Sequence, residues 1–350
     1  MPVSLDNPWR GVGLDPDGLM PVADASGVAA LLRLCPAHQE TPLHDAPGLA
    51  RLSGVAAVWV KDERQRMGLG SFKALGATHA IARLAAARAG HDPNALRHAL
   101  DGQTFVAASA GNHGLSVAAG ARLFGAAAVI FLSEAVPDAF AKRLESHGAQ
   151  VVRAGADYEA SMTAAAEAAE TNGWTLLSDS SWPGYTELPL RVMEGYTQLA
   201  AEAVAQMDAP PTHVLLQAGV GGLAAAVAAH VRLAWRDAVT IVVVEPDAAP
   251  ALIDSIRAGK LVTSEGPVSS MGRLDCKTPS MIALAGLSRD ADRFVTITEA
   301  EARFGTDTLA DHGFDSTPSG AAGFAALLAG LNLGPDARVL GIVSEGPEDG

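Results

Sequence analysis

Short runs of Val, Ile, Leu and Ala alternate along most of the chain with longer segments of helical periodicity. The apolar runs predict nine strands: Val55–Lys61, Phe105–Ser109, Ala127–Leu132, Gln150–Arg153, Thr175–Ser178, His213–Gln217, Thr240–Val244, Phe294–Thr298 and Arg338–Val343. The segments between them predict helices, among them Lys73–Arg88, Asn112–Phe124, Asp138–His147, Asp157–Glu170 and Leu190–Met207. Continuous apolar strands, as opposed to alternating ones, are typical of parallel sheets covered by helices on both faces. The pattern therefore predicts an α/β fold.

Two polar, Gly- and Pro-containing stretches suggest where the chain passes between domains. His91–Asp101 follows the first long helix, and Gly184–Pro189 precedes the helix that begins near Leu190. Such stretches are favoured at domain boundaries. We expect a large domain built from residues 1–90 and 190–350 and a smaller domain built from residues 91–189.

Composition and charge narrow the classes of partner. The 350 residues are 49% hydrophobic and carry a formal net charge of −14, which argues against nucleic-acid binding and against anionic membranes. The two cysteines form neither a disulfide framework nor a C-x-x-C pair, and no signal peptide is expected at the first residues, so we expect a cytoplasmic protein. The uncharged stretch 209–231 contains prolines, glycines and polar residues, which favours a buried strand, loop and helix over a membrane span.

The first motif with chemical potential is Gly70-Ser71-Phe72-Lys73, which opens an Ala-rich helix. A lysine held at a junction of loop and helix can be partly desolvated, and a neutral amine is what forms a Schiff base. Taken alone, the motif favours a solvated surface lysine.

The second motif is Ser109-Ala110-Gly111-Asn112-His113-Gly114, a polar turn between a strand and a small-residue helix. Ligands of α/β proteins bind at the carboxyl ends of strands. The Asn112 amide could bond a cofactor hydroxyl, and N–H groups at the helix start could hold a carboxylate. An ordinary turn with a capping Asn is the alternative, and for His113 a packed structural role is favoured.

The third motif is the strand followed by Gln217-Ala218-Gly219-Val220-Gly221-Gly222-Leu223, which predicts a phosphate-binding loop. The same loop also fits a dinucleotide fingerprint, with Glu245 at the end of the next strand as the ribose-binding acid. A nicotinamide dehydrogenase is therefore a rival hypothesis for this segment. It leaves the lysine and Asn-His motifs unexplained.

Two weaker candidates lie at predicted strand ends. Asp179 in Ser178-Asp179-Ser180 could move a proton for a substrate, and Ser344 in Val343-Ser344-Glu345-Gly346 could bond a heterocyclic nitrogen. Each is also compatible with a structural role. No motif in the sequence predicts a metal site.

The order of these motifs resembles the fold type II pyridoxal-phosphate (PLP) enzymes, the family of tryptophan synthase β subunit, threonine dehydratase and cysteine synthase. Within that family the chain most resembles the diaminopropionate ammonia-lyases. Thr41-Pro42-Leu43, Ser71-Phe72-Lys73-Ala74-Leu75-Gly76, Glu194-Gly195-Tyr196, Leu274-Asp275-Cys276 and Ser344-Glu345-Gly346 carry that likeness. The resemblance implies two parallel-sheet domains with the cofactor in the cleft between them, and a homodimer.

The resemblance also implies roles for individual residues. Lys73 would carry PLP as a Schiff base and move the Cα proton, and Asn112 would bond the ring hydroxyl. Gly219, Val220, Gly221, Gly222 and Leu223 would hold the phosphate, and Ser344 would face the pyridine nitrogen. Ser109, Ala110, Gly111 and His113 would bind the substrate, and Asp179 would act near its β group.

One position departs from the ammonia-lyase pattern. Ala110 stands where these enzymes usually carry an acidic residue, and Ser-Ala-Gly-Asn-His matches serine and threonine dehydratases instead. The resemblance therefore implies β-elimination from a small L-amino acid such as 2,3-diaminopropionate, giving a 2-oxo acid and ammonia. A dehydratase of serine, threonine or another β-hydroxy amino acid is the alternative, and a non-catalytic PLP carrier is a third.

Overall fold

The computed structural model describes residues 2–15 and 18–347. Its strands are β1 Val3–Asp6, β2 Leu43–Asp45, β3 Ala57–Asp62, β4 Thr104–Ala107, β5 Ala127–Leu132, β6 Gln150–Arg153, β7 Thr175–Leu176, β8 His213–Gln217, β9 Thr240–Pro246, β10 Arg293–Ile297 and β11 Arg338–Val343. They form a seven-stranded sheet in the order β1-β10-β9-β8-β11-β3-β2 and a four-stranded sheet in the order β6-β5-β4-β7.

The helices are α1 Ser26–Leu32, α2 Pro47–Ser53, α3 Gly76–Ala89, α4 Pro93–Leu96, α5 Asn112–Leu123, α6 Asp138–Ser146, α7 Tyr158–Asn172, α8 Glu187–Gln206, α9 Gly222–Trp235, α10 Ala251–Ala258, α11 Met281–Asp290, α12 Glu299–Asp311 and α13 Pro318–Leu328. Strands alternating with helices, most of them parallel, confirm the predicted α/β class.

The large sheet is mixed at its edges, which the apolar pattern did not predict. Strands β3, β8, β9, β10 and β11 are parallel, but β1 pairs antiparallel with β10 and β2 pairs antiparallel with β3. Both edge strands are short and largely uncovered. An edge strand with one neighbour needs no continuous apolar run, so the periodicity carries no signal for it.

Three predicted elements near the cleft differ from the observed ones. The strand predicted over Phe105–Ser109 is observed at Thr104–Ala107. The helix predicted from Lys73 begins at Gly76, and a 3-10 turn over Phe72–Leu75 precedes it. The strand predicted to reach Ser178 ends at Leu176, because the Ser178 N–H donates to the Tyr185 hydroxyl at 3.0 Å and leaves the ladder.

The four strands of the small sheet all lie between residues 104 and 176, inside the segment predicted to form the smaller domain. The largest apolar cluster nevertheless runs through both sheets by way of α3, α5 and α8, where Ile81, Leu115 and Leu199 are fully buried. The two sheets therefore share one continuous core. The boundaries at residues 90/91 and 189/190 stay a prediction.

Stretch 209–231 forms β8, a loop and most of α9, as the sequence predicts. Within residues 2–15 and 18–347, the helices are all too short or too polar to traverse a bilayer.

A buried cluster of four charged side chains lies under the segment that leads to Lys73. Lys61 Nζ lies 2.9 Å from Glu202, and Arg66 bonds both Glu63 and Glu202, at 2.7 and 2.6 Å. All four side chains are at most 1% exposed. Because charges inside a protein are stable only when paired, the cluster joins β3 and the following turn firmly to α8.

Candidate active site

A cleft of about 1070 Å³ opens where the carboxyl ends of strands from both sheets face each other. Each residue that the sequence predicts for the site lines this one cavity: Lys73, Ser109, Ala110, Gly111, Asn112, His113, Asp179, Gly219, Val220, Gly221, Gly222, Leu223 and Ser344. The structure thus brings together five segments that are far apart in sequence. It establishes the place of each residue, and the individual roles stay predictions.

Lys73 is presented by a glycine-containing turn. Gly68 and Gly70 have φ of 71° and 82°, values that side chains with a Cβ rarely adopt, and Ser71 is extended. The Phe72 N–H donates to the Ser344 carbonyl at 3.0 Å, which ties the turn to the end of β11. Lys73 is therefore fixed at the cleft by its backbone on both sides.

The Lys73 amine contacts the carboxylate of Asp179. Burial opposes charge on both groups, but the ion pair outweighs it, so the pKa of Lys73 is raised and that of Asp179 is held below its usual range. The two side chains are 22% and 20% exposed, which leaves them accessible from the cleft. Without a ligand, Lys73 is an ammonium whose nearest proton acceptor is Asp179.

Aromatic rings surround the same amine. Lys73 Nζ lies 5.3 Å from the ring centroid of Phe72 and 5.7 Å from that of Tyr196, within the range of cation–π attraction. The Tyr196 hydroxyl is buried and has no hydrogen-bond partner in the described part of the chain. Sequence reasoning missed Tyr196 as a site residue, although Glu194-Gly195-Tyr196 was noted for its family likeness.

The Ser109–Gly114 turn enters α5 very tightly. A Cβ at Gly114 would lie 2.2 Å from the Ser109 carbonyl oxygen, so only glycine fits. His113 Nε2 donates to the Leu177 carbonyl at 2.8 Å, because a carbonyl can only accept, so Nε2 carries the proton. Burial lowers the pKa of His113. The ring is therefore neutral and packed, as the sequence favoured.

The glycine loop forms a cradle without side chains at the start of α9. Gly221 has φ of 96°, and a Cβ at Gly219 would lie about 3 Å from Leu274, Arg273 and Cys276. The N–H groups of Gly221, Gly222 and Leu223 lie in the first turn of a helix and make no hydrogen bond to any described residue. Free N–H groups at a helix start are suited to an anion such as a phosphate.

The rival reading of this loop fails at Glu245. Glu245 is fully buried, and its two oxygens accept the N–H groups of Leu252 and Ile253 at 2.7 and 2.8 Å. Burial raises its pKa to about 8. A carboxylate occupied in this way cannot bind a ribose, so the interpretation of the loop as a nicotinamide site is wrong.

Ser344 lies 4% exposed at the end of β11 and lines the cleft opposite the glycine loop. Its neighbour Glu345 and the loop residues Arg273 and Cys276 also line the cavity, and none of the three was predicted as a site residue. Burial raises the pKa of Cys276 to about 11, so this thiol stays protonated near neutral pH.

These features fit PLP. The cradle offers unpaired N–H groups to a phosphate, Lys73 lies in the cleft as the amine for a Schiff base, and Asn112 and Ser344 provide polar groups for the ring. The loop has no room for a side chain at Gly219, since a Cβ there would lie about 3 Å from its neighbours.

Comparison with known proteins agrees with this chemistry. The profile of the family described as "Pyridoxal-phosphate dependent enzyme" matches residues 34–345. Diaminopropionate ammonia-lyase of Escherichia coli (strain K12) is 33% identical over 340 residues, covering 89% of this chain and 85% of that protein. L-serine dehydratase/L-threonine deaminase of Mus musculus is 31% identical over 228 residues, covering 65% of this chain and 63% of that protein.

Solved structures show the same fold. The Escherichia coli diaminopropionate ammonia-lyase in complex with D-serine superposes with a TM-score of 0.89 at 30% identity, covering all of this chain (100%) and 95% of that one. The arrangement is that of the fold type II PLP enzymes, as the resemblance implies. With the matched profile spanning most of its length, the chain belongs to the pyridoxal-phosphate dependent enzyme family.

Proposed function

We propose that the protein is a PLP-dependent lyase that eliminates the β-amino group of L-2,3-diaminopropionate. With one water, the substrate gives pyruvate and two molecules of ammonia. The observation that carries the proposal is the contact between Lys73 and Asp179 in a cleft whose other wall is an anion cradle. The Escherichia coli relative named for this activity, similar over 89% of the chain, supports the choice of substrate.

When bound, PLP acts as an electron sink that stabilises negative charge at the substrate Cα. The residues of the chain do the rest. The N–H groups of the Gly219–Leu223 cradle hold the phosphate, Asn112 and Ser344 orient the ring, and the Ser109–Gly111 turn binds the substrate carboxylate.

Lys73 and Asp179 divide the movement of protons. Asp179 pairs with the Lys73 ammonium while the site holds no ligand, and once Lys73 is neutral its Nζ removes the proton at Cα. The β-amino group leaves as ammonia after it receives a proton. Lys73 passes on the proton taken from Cα through Asp179, the carboxylate in contact with it. His113 is neutral and packed, so it orients the turn and does not move a proton.

A dehydratase acting on serine or threonine is the second candidate. Ala110 favours a dehydratase, because the turn proposed to bind the substrate then carries no carboxylate. The similarity to the mouse L-serine dehydratase/L-threonine deaminase supports the same candidate. The two candidates differ only in the group that leaves from Cβ.

The discriminating experiment is a panel of pure L-2,3-diaminopropionate, L-serine and L-threonine, assayed for 2-oxo acid and for ammonia. We expect the highest kcat/KM for diaminopropionate, with twice as much ammonia as pyruvate. A Lys73→Ala variant should lose both turnover and the visible absorbance of the bound cofactor. A higher kcat/KM for a hydroxy amino acid would replace the proposal with the dehydratase, and turnover in Lys73→Ala would refute the lysine assignment.

We further propose that the protein is a cytoplasmic homodimer that binds neither nucleic acid nor membranes. The acidic net charge and the two unpaired cysteines, Cys35 and Cys276, support this assignment. Light scattering coupled to size-exclusion chromatography should give twice the mass of the chain. Domain closure of residues 91–189 over the cleft belongs to the same proposal.

A further inference from the structure

Glu345 is a buried carboxylate at the cleft for which neither the motifs nor the proposed mechanism has a use. It directly follows Ser344 at the end of β11 and is 3% exposed. Its backbone forms an isolated antiparallel bridge with Ser71, and the Gly346 N–H donates to the Gly70 carbonyl at 3.0 Å. Glu345 therefore lies alongside the turn that presents Lys73.

The side chain of Glu345 reaches across to the other sheet. Its Oε2 accepts a hydrogen bond from Asn112 Nδ2 at 2.6 Å. Its Oε1 accepts from Arg273 Nη1 at 2.8 Å and from the Thr317 hydroxyl. Packing restricts it further, since a Cβ at Gly320 would lie 2.8 Å from its Cγ.

The contact with Asn112 decides which way that amide faces. A carboxylate can only accept hydrogen bonds, so the NH₂ group of Asn112, and not its carbonyl, must face Glu345. One N–H of that group is used by Glu345, and the second remains to donate to another acceptor. A hydrogen bond to a charged acceptor is about twice as strong as a neutral one, so the orientation is held firmly.

The same contact joins the two sheets. Asn112 begins α5, which follows strand β4 of the small sheet after a short turn, while Glu345 lies just beyond the end of β11 of the large sheet. Arg273 extends the link, because its Nε lies 3.7 Å from where a Cβ of Gly111 would be. The Glu345 carboxylate thus lies where three segments meet: the turn that presents Lys73, the Ser109–Gly114 turn and the loop that carries Arg273.

We propose that Glu345 is a positioning residue of the cofactor site. It orients the Asn112 amide toward the cofactor ring, and its hydrogen bonds connect the small sheet to the large one. The inference rests on the proposed contact of Asn112 with the cofactor.

Glu345→Gln is the decisive substitution, because it keeps the shape and removes one acceptor. A glutamine has a single oxygen, so its NH₂ group must face either the donor of Asn112 or the donors of Arg273 and Thr317. We expect the dissociation constant for PLP to rise roughly 10- to 100-fold, the range for losing a hydrogen bond to a charged group. The visible absorbance of the bound cofactor should change as well.

A double-mutant cycle separates positioning from general stability. Asn112→Ala should weaken PLP binding by a similar factor, and Asn112→Ala/Glu345→Gln should be no worse than Asn112→Ala alone. The matched control is Glu245→Gln, an equally buried carboxylate at the end of β9 that does not touch Asn112. It should leave PLP affinity unchanged and combine additively with Asn112→Ala.

The hydrogen bond between Glu345 and Asn112 that connects the two sheets can be tested in the protein without cofactor. Asn112→Asp places two carboxylates together and should lower Tm, whereas Asn112→Asp/Glu345→Gln exchanges donor and acceptor and should recover most of that loss. PLP affinity should stay low in the double variant, because aspartate cannot donate to the ring. This exchange keeps the inference testable even if Glu345→Gln alone folds poorly.

Additive effects on PLP affinity, an unchanged affinity in Glu345→Gln, or no recovery of Tm in the exchange variant would each overturn the inference. None of these measurements uses an amino-acid substrate. A wrong choice of substrate would therefore leave this test intact, and a wild-type protein that bound no PLP would instead refute the proposed function.

Discussion

At the scale of single residues, the ion pair of Lys73 and Asp179 is the most informative feature. It brings the proposed base into contact with a carboxylate in the protein without ligand. Sequence reasoning assigned Asp179 to the β group of the substrate. The structure adds that Asp179 also controls the charge of Lys73.

Asp179→Asn tests this double role. The charge is removed and the shape is kept, so PLP attachment to Lys73 should persist while turnover falls by about 10²- to 10⁴-fold, as for the loss of an acid–base group. Borohydride reduction with peptide mapping measures attachment, and single-turnover kinetics measures elimination. Asp292→Asn, which removes a carboxylate from an arginine pair away from the cleft, serves as the control. Normal elimination in Asp179→Asn would reduce Asp179 to a structural residue.

Ala110 predicts which enantiomer is used. Without a carboxylate at this position, the face of the substrate turned away from Lys73 has no base from the Ser109–Gly114 turn. We expect the wild-type protein to act on L-2,3-diaminopropionate at least about 10²-fold faster than on the D-isomer. Ammonia release from each pure enantiomer measures this, and Ala110→Asp should raise the D rate. Comparable rates on both isomers would mean that Asp179 supplies the second base.

At the scale of secondary-structure elements, the carboxyl ends of β4, β8 and β11 and the starts of α5 and α9 build the site. Each strand ends in a turn that exposes backbone or short side chains, and each helix begins at the cleft. This is the general location of ligand sites in parallel sheets. The turn after β8 depends most on glycine.

Gly221→Ala tests the cradle. Gly221 has φ of 96°, and its Cβ would lie 3.1 Å from that of Ala283, so the substitution should strain the loop and cost about 1–3 kcal/mol of stability. We expect PLP affinity to fall with it, measured by fluorescence titration. Gly313→Ala is the matched control, since φ is 85° there and a Cβ meets no atom within 4 Å. Equal PLP affinity in both variants would argue against a phosphate cradle at α9.

At the scale of the whole molecule, the buried charges around Glu202 set a limit on acid stability. Burial alone would raise the pKa of Glu202, but hydrogen bonds from Arg66 and the charge of Lys61 outweigh it and lower the pKa to about 2. A carboxyl group whose pKa is lower in the folded state stabilises the fold above its unfolded pKa. That stabilisation is lost as the pH falls toward 2.

We therefore expect the free energy of unfolding to drop by about 3 kcal/mol through this group between roughly pH 5 and pH 2. Glu202→Gln should remove that pH dependence and cost about 3–5 kcal/mol at neutral pH, because Lys61 and Arg66 then lack a buried counter-charge. Urea titrations across the pH range measure both effects. A wild-type curve no steeper than that of Glu202→Gln would contradict the assignment.

The sequence by itself determined the α/β class, the bounds of the central strands and the motifs that line the cleft. The edge strand 150–153 matches the prediction through its pair of valines, and the interior strands 127–132, 213–217 and 338–343 also match to the residue. This succeeds because a strand buried on both faces must be apolar throughout, and because turns that hold ligands need glycine and short polar residues, which are visible without any partner.

Only the tertiary structure decided the contacts between segments far apart in the chain. The partners of Lys73 and Asn112 were invisible in the sequence, since they lie 106 and 233 residues away. Glu245 has local partners, but no local pattern distinguishes a carboxylate at a cleft from one that caps a helix. The exposed edge strands β1 and β2 escaped prediction for a related reason. A strand of three or four residues without an apolar run, like a charge with a distant partner, is stabilised by tertiary packing, which produces no periodic pattern in the sequence.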